Sequence, residues 1–233
     1  MKKLLTLTLI IFIALPAFTQ VSQLLDRNKS GLGILGGVAQ GYGFNGFHGR
    51  AVATLKGKVD FEVLAIYDKY DKAKKGLLTD NATSLETGAY ITWWFLQTSP
   101  TQSMNVNIGL KPGFEYAKHN NYKYIHSIDG NTVEYKYWAE GVLGLDINMV
   151  YKLTDAWLLQ PDFYIAYQVS SEKLTELGKD ETNSYTGVQS VISATLAKKF
   201  EKGNALFLKV NQLCDTYGTG TFYHFEVGYV MPF

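Results

Sequence analysis

The stretch YKYWAEGVLGLDINMVYKL, from Tyr135 to Leu153, divides into two sets when every second residue is taken. Tyr135, Tyr137, Ala139, Gly141, Leu143, Leu145, Ile147, Met149, Tyr151 and Leu153 form one set. Lys136, Trp138, Glu140, Val142, Gly144, Asp146, Asn148, Val150 and Lys152 form the other. A helical period would mix them. An extended strand keeps them apart, because its successive side chains point to opposite faces. One face is therefore apolar with aromatic ends, and the other carries the charges.

The same separation recurs on both sides of this stretch. Met104–Tyr116 sets Met104, Val106, Ile108, Leu110 and Phe114 against Asn105, Asn107, Lys111 and Glu115. Trp157–Val169 and Leu85–Phe95 alternate in the same way, as do Val59–Tyr67 and Tyr223–Phe233. Weaker alternation runs through Gly31–Gln40, Phe47–Leu55, Ser184–Phe200 and Ala205–Cys214. The pattern predicts about ten antiparallel strands, an even number of the kind found in outer-membrane barrels. The connections alternate too. Lys56 to Lys58, Leu96 to Ser103, Thr154 to Ala156 and Glu201 to Asn204 are short, whereas Asp71 to Ser84, Ala117 to Glu134 and Ser170 to Asn183 are long and polar. Short turns on one side and long loops on the other are the asymmetry of an up-and-down membrane barrel.

The beginning of the chain points to export. Lys2 and Lys3 precede an apolar run from Leu4 to Leu15, then Pro16 and the small-residue site around Ala17 to Thr19. This pattern predicts a cleaved signal peptide over 1–19, a short periplasmic segment over 20–30, and a barrel over 31–233. The run is too short for a membrane-spanning helix, which needs about 20 apolar residues. Without Lys2 and Lys3, the 22 basic residues fall to 20 against 21 acidic ones, which excludes a nucleic-acid partner. Cys214 is the only cysteine, so no intrachain disulfide forms.

Alternation alone fits two barrels: a membrane barrel, polar inside, or a soluble lipid-binding barrel, apolar inside. Three features favour the membrane form. Gly88, Gly109, Gly113, Gly144, Gly187 and Gly228 share the charged face, where a crowded lumen needs room for neighbouring charged side chains. Tyr116, Tyr135, Tyr137, Tyr151, Trp157 and Tyr167 lie near strand ends, as rings at a membrane–water boundary do. The segment Tyr229, Met231, Phe233 places an apolar residue at every second position, a terminal signal for the barrel-assembly machinery. The expected location is the cell outer membrane, with outer-membrane lipid as the surrounding partner.

On this register the lumen is lined by Arg50, Glu62, Glu86, Lys111, Glu115, Glu140, Asp146, Asp162, Lys209 and Glu226, with Lys56 and Lys136 also placed inward. Charges of both signs alternate, which predicts an internal network in a narrow barrel; the alternative is a narrow pore mildly favouring cations. Asp68, Asp71, Asp215 and His224 approach the outer rim but match no catalytic spacing, so no catalytic residues, no cofactor and no metal site are expected. His119 and His126 lack a third ligand. The loop 117–134 mixes Tyr, Asn and His and is the expected docking surface for other envelope proteins, since loops on rigid scaffolds carry function. Ser171 to Gly178 is expected to fold as one helical turn over the rim.

The stretches GLGILGGV at Gly31, FHGRAVATL at Phe47, LETGAYITWWF at Leu85 and MNVNIGLKPGFEYA at Met104, with the hairpin from Tyr137 to Gln168, resemble the TraO-like family of outer-membrane barrels associated with conjugative transfer. The chain departs from that pattern by a hairpin after Lys199. The resemblance implies a non-enzymatic component of an envelope assembly, serving a structural or docking role.

Overall fold

The computed structural model describes residues 29–98, 103–126, 130–215 and 222–233. The expected signal peptide and most of the expected periplasmic segment lie outside these residues. Ten antiparallel strands follow in order: β1 (Gly31–Gly41), β2 (Phe44–Leu55), β3 (Val59–Tyr70), β4 (Thr83–Gln97), β5 (Met104–Ile125), β6 (Thr132–Lys152), β7 (Trp157–Glu176), β8 (Lys179–Lys199), β9 (Ala205–Asp215) and β10 (Phe222–Pro232). Each pairs with its sequence neighbour, and β1 pairs with β10, from Gly31 opposite Pro232 to Gln40 opposite Tyr223. The sheet thus closes on itself and leaves no edge along the barrel body.

Burial follows the alternation. On β3, Phe61, Val63 and Tyr67 face outward and Glu62, Leu64 and Ile66 face inward. The outer surface is apolar on every strand: Ile34 on β1, Phe47 on β2, Ile91 on β4, Phe114 on β5, Leu143 on β6, Tyr167 on β7, Ile192 on β8, Leu208 on β9 and Phe225 on β10 are all exposed. A large apolar side chain moved out of water gains roughly 1.5–3 kcal/mol. An apolar surface this continuous is an aggregation surface in water and is suited to hydrocarbon. The polarity is opposite to that of a soluble lipid-binding barrel.

The strands differ in height. β1, β2, β3, β9 and β10 have 11 or 12 residues, whereas β5 to β8 have 20 to 22. The two hairpins β5–β6 and β7–β8 therefore rise beyond the rest of the rim as one four-stranded wall. Here the structure corrects the sequence reading. Most of 117–134 is strand, and 170–183 is strand except for Leu177 and Gly178. Ser171 to Glu176 continues β7 and does not form a helical turn. Leu177 and Gly178 both have positive φ, 48° and 75°, as a two-residue hairpin turn of the mirror-image type requires. The β3–β4 connection contains the short helix α1 (Lys72–Lys75), capped by Asp71, whose side chain accepts from the Lys74 N–H at 3.0 Å.

Candidate functional site: the lumen and the projecting wall

The inward side chains fill the barrel in three layers. At the short-turn end Leu35, Val52, Val150, Leu158, Phe207 and Val230 form an apolar plug. At the other end Phe44, Tyr70, Tyr122, Tyr124, Tyr135, Trp138 and Leu174 form a second, larger one. Between them lies a belt of charge. Arg50 donates through Nη1 to Glu62 Oε1 at 3.1 Å, and its Nε lies 3.1 Å from Glu226 Oε1. Lys111 Nζ reaches the other Glu62 oxygen at 3.1 Å. His48 Nε2 lies 2.9 Å from Glu226 Oε1, while Asn211 donates to Glu226 Oε2 at 2.9 Å. Lys209 stands opposite Glu226 in the β9–β10 register and faces Asp162 as well. Asp146 and Asp162 lie side by side next to Lys111 and Lys209.

All ten residues expected to line the lumen point inward and are buried. Lys56 and Lys136, also expected inward, do not. Lys56 occupies the β2–β3 turn with φ 50° and is exposed. Lys136 sits at an irregularity of the β6–β7 register between Tyr135 and Tyr137, which turns it outward and turns Tyr135 in. A second irregularity, between Lys118 and Tyr122 of β5, includes Asn121 at φ 54°. Because a one-residue slip exchanges the two faces of a strand, these two shifts bring Tyr122, Tyr124, Val133 and Tyr135 together on the inner side.

Ion pairing does not account for the whole interior. Among the described residues, three buried Lys and Arg side chains, Arg50, Lys111 and Lys209, share it with ten buried carboxyl residues. Glu115 stands directly opposite Glu140, with Glu86 diagonal to it across β4. This carboxyl group is tied to the wall by Tyr90, whose hydroxyl donates to Glu115. At the lower level Thr54 and Trp94 donate to Asp60 at 2.6 and 2.9 Å.

The inward glycines make room chiefly for rings, not for charged side chains. A Cβ on Gly113 would enter the Tyr90 ring, on Gly228 the Phe207 ring, and on Gly109 the Trp94 ring. Gly88 and Gly46 face carboxylates instead, the Glu115 and Asp68 side chains. Gly37 has a further role: on β1 it lies opposite both His48 of β2 and Glu226 of β10. A Cβ there would be 2.9 Å from His48 Nε2. Its absence lets the belt cross the closing strand. The stacking of His48 on His224, with centroids 5.1 Å apart, is a feature the sequence reading missed. Small residues Gly31, Gly33, Gly37 and Ala39 on the inner side of β1 were the available signal. His224 is thereby buried in the belt rather than placed at the rim, and Asp68 also points inward. The side chain of Asp215 lies outside the described residues.

The projecting wall has its own chemistry. Its inner side packs Tyr122 against Tyr70 at 4.9 Å and His119 against Tyr135 at 4.6 Å. Burial holds His119 neutral, with its pKa lowered to about 3. The β3–β4 connection seals this side: Leu77 bridges to Tyr124, the Leu78 N–H donates to Lys123 O at 2.8 Å, and Thr79 Oγ1 donates to Asn121 O. Higher up, Tyr185 and Asn183 donate to Glu172 at 2.6 and 3.2 Å. On the outer side Asp180 accepts from Lys173 at 2.7 Å, Lys136 at 2.8 Å and Thr175 at 2.6 Å. These three donors hold its carboxyl well below the usual range. At the end of β10, Met231 and Phe233 are exposed outward, and the Tyr229 hydroxyl accepts from Asn204 at 2.7 Å.

No protein-family model and no curated protein matches the sequence. The TraO-like resemblance therefore rests on the quoted strand stretches alone. Solved structures do match. The translocator domain of the autotransporter NalP from Neisseria meningitidis is 10% identical, with 91% of this chain and 92% of that one covered and a TM-score of 0.50. The beta domain of the Bordetella autotransporter Brka is 10% identical, with 88% and 100% covered and a TM-score of 0.46. Ail, the attachment invasion locus protein of Yersinia pestis, is 10% identical over 88% and 100%, with a TM-score of 0.36. The first supports the fold: a closed antiparallel barrel of the outer-membrane type.

Proposed function

We propose that this protein is a non-enzymatic outer-membrane barrel with a closed lumen, serving as a structural and docking element of the envelope. Its short-turn rim faces the periplasm and the projecting wall faces outward. One observation carries this reading. The charged belt is sealed between two apolar plugs, and inward residues from Val230 at one end to Tyr135 at the other are almost fully buried. A water-filled channel would instead expose the side chains that line it. What remains accessible is the wall of β5 to β8, and that is where a partner would bind. Most of the loop expected for this role is paired strand, which favours shape recognition over adaptable contact. In the same reading Tyr229, Met231 and Phe233 form the segment presented to the barrel-assembly machinery.

The test is conductance. Purified protein reconstituted in planar bilayers should give no steady current, with heat-modifiable gel mobility showing that it is folded. Steady, cation-selective current through the folded protein would instead establish the narrow pore, whose selectivity the excess of lumenal carboxylates would explain.

A further inference from the structure

The outer surface of the wall places lysines at one particular level. On β3 the last apolar outward residue is Tyr67, and the next outward position is Lys69. On β5 the apolar run ends at Tyr116, followed outward by Lys118, and only Ile125 at the top of the strand is again apolar and exposed. On β6 Tyr137 is followed by Lys136, turned out by the register shift. Lys118 lies directly opposite Tyr137, and Tyr137 directly opposite Lys173. The spacing of neighbouring strands puts the Lys118 and Lys173 backbones about 10 Å apart on one surface. Lys136 and Lys173 already converge on a single anion, the Asp180 carboxylate. Among the described residues the other acid on this side, Glu134, is engaged 3.4 Å from Lys123. Asp180 is outnumbered by Lys136 and Lys173, and Lys69 and Lys118 have no ion pair among the described residues, so the surface carries a positive excess immediately beyond the apolar band. The inner side of the same wall carries the carboxylates Glu172 and Glu176.

We propose that this outer face binds the phosphate groups of outer-leaflet lipid headgroups, with Lys69, Lys118 and Lys173 as the phosphate-contacting residues and Asp180 competing with the phosphates for Lys136 and Lys173. The proposal rests on the membrane reading above, because it needs the apolar band to lie in hydrocarbon. Then the lysines stand at headgroup height, where each basic side chain attracts anionic lipid. The tyrosines beneath them fit the same boundary, one end apolar and one end wet.

The experiment uses the full protein folded into phosphatidylcholine nanodiscs carrying a minor fraction of bis-phosphorylated lipid A or the same lipid with its phosphates removed. Native mass spectrometry reads the lipid retained. Retention of the phosphorylated form should be favoured roughly tenfold or more, and excess inorganic phosphate should not displace it. The triple variant Lys69→Gln, Lys118→Gln, Lys173→Gln should lose that preference, while Lys56→Gln with Lys152→Gln at the other rim should keep it. Asp180→Asn should strengthen retention, since it frees two ammonium groups; a merely structural role predicts no gain. Equal retention of both lipids, or an unchanged triple variant, would overturn the proposal while leaving the barrel reading intact. Failure to insert into any nanodisc would sink the membrane reading and this proposal together.

Discussion

Below Tyr116 and Tyr137, the inward face holds the belt of charge and the outward face is apolar. Above them the inner side is mostly aromatic, with the carboxylates Glu172 and Glu176 beside the rings, and the outer side is mostly polar. The inner side of the wall holds Tyr122, Tyr124, Val133, Tyr135 and Leu174, all buried, while the outer side holds Lys118, Asn120, Lys136, Lys173 and Thr175. The same four strands thus pass from one solvent to another, and β7 and β8 keep their alternation throughout, while on β5 and β6 a register shift sits at the crossing. Either of the latter two, continuing in strict alternation, would have carried its polar face to the inside of the wall and its apolar face into water. The irregularities change the parity instead, so that each region turns its apolar side away from water. Sheet bulges are commonly placed where a side chain has to be re-aimed.

The difference can be tested by placing one charge in each region. Phe114→Lys or Ile165→Lys, on the outer surface of the body, should cost about 2–4 kcal/mol, the depth-dependent penalty for lysine against lipid. Thr175→Lys, on the outer surface of the wall, should be near neutral. Urea unfolding of the protein in lipid vesicles measures both, and equal costs would remove the proposed boundary. Breaking the belt should cost at least as much. Arg50→Met leaves Glu62 and Glu226 facing each other without their shared cation, and truncating one partner of a buried ion pair costs about 3–5 kcal/mol. Gly113→Val forces a methyl group into the Tyr90 ring and should cost about 1–3 kcal/mol, as overpacking does. Gly141→Val, which points outward into open space, should cost nothing or stabilise. Heat-modifiable mobility after refolding distinguishes the two glycines.

The wall should also respond to pH. His119 has its pKa lowered to about 3 by burial, from an ordinary value of 6.5. Between these values the unfolded state binds a proton that the folded state refuses, so stability rises with pH across that window and is lost as the pH falls through it. Hydrogen exchange of the β5–β6 hairpin should accelerate as the pH is lowered from about 6.5 toward 3 after correction for the intrinsic rate, and His119→Phe should flatten the dependence. The smallest effect concerns the tip of β7–β8. Leu177 is an exposed leucine at φ 48°, a conformation that costs an L-residue roughly 1–2 kcal/mol. Leu177→Gly should stabilise the hairpin slightly, read as slower local exchange around Glu176 and Lys179.

The body of the barrel was legible because its two faces differ so much in polarity. Every one of Arg50, Glu62, Lys111 and Glu226 could be placed inward by counting in twos from an apolar neighbour. The wall was not legible, because the polar residues from Ser170 to Asn183 look like loop to a reader who expects strands to show an apolar outer face. The parity changes at Asn121 and Lys136 then hid the inward tyrosines. The contacts of the belt were beyond reach for another reason. Arg50 meets Glu226, and His48 meets His224, across the whole length of the chain, and only closure of β1 on β10 with Gly37 between them creates those neighbours.

That closure has a consequence for how the molecule is made. The strand that synthesis delivers first must wait for the strand it delivers last, since Gly31 finds its partner at Pro232. Until then the growing sheet carries two raw edges and a half-assembled belt, with His48 and Arg50 deprived of Glu226. Pairings between residues so distant in sequence form slowly, and an unpaired edge invites association with other chains. The slow step of maturation would then be the sealing of a single seam, and an escort that shields β1 and β10 would speed biogenesis more than one that assists any other hairpin.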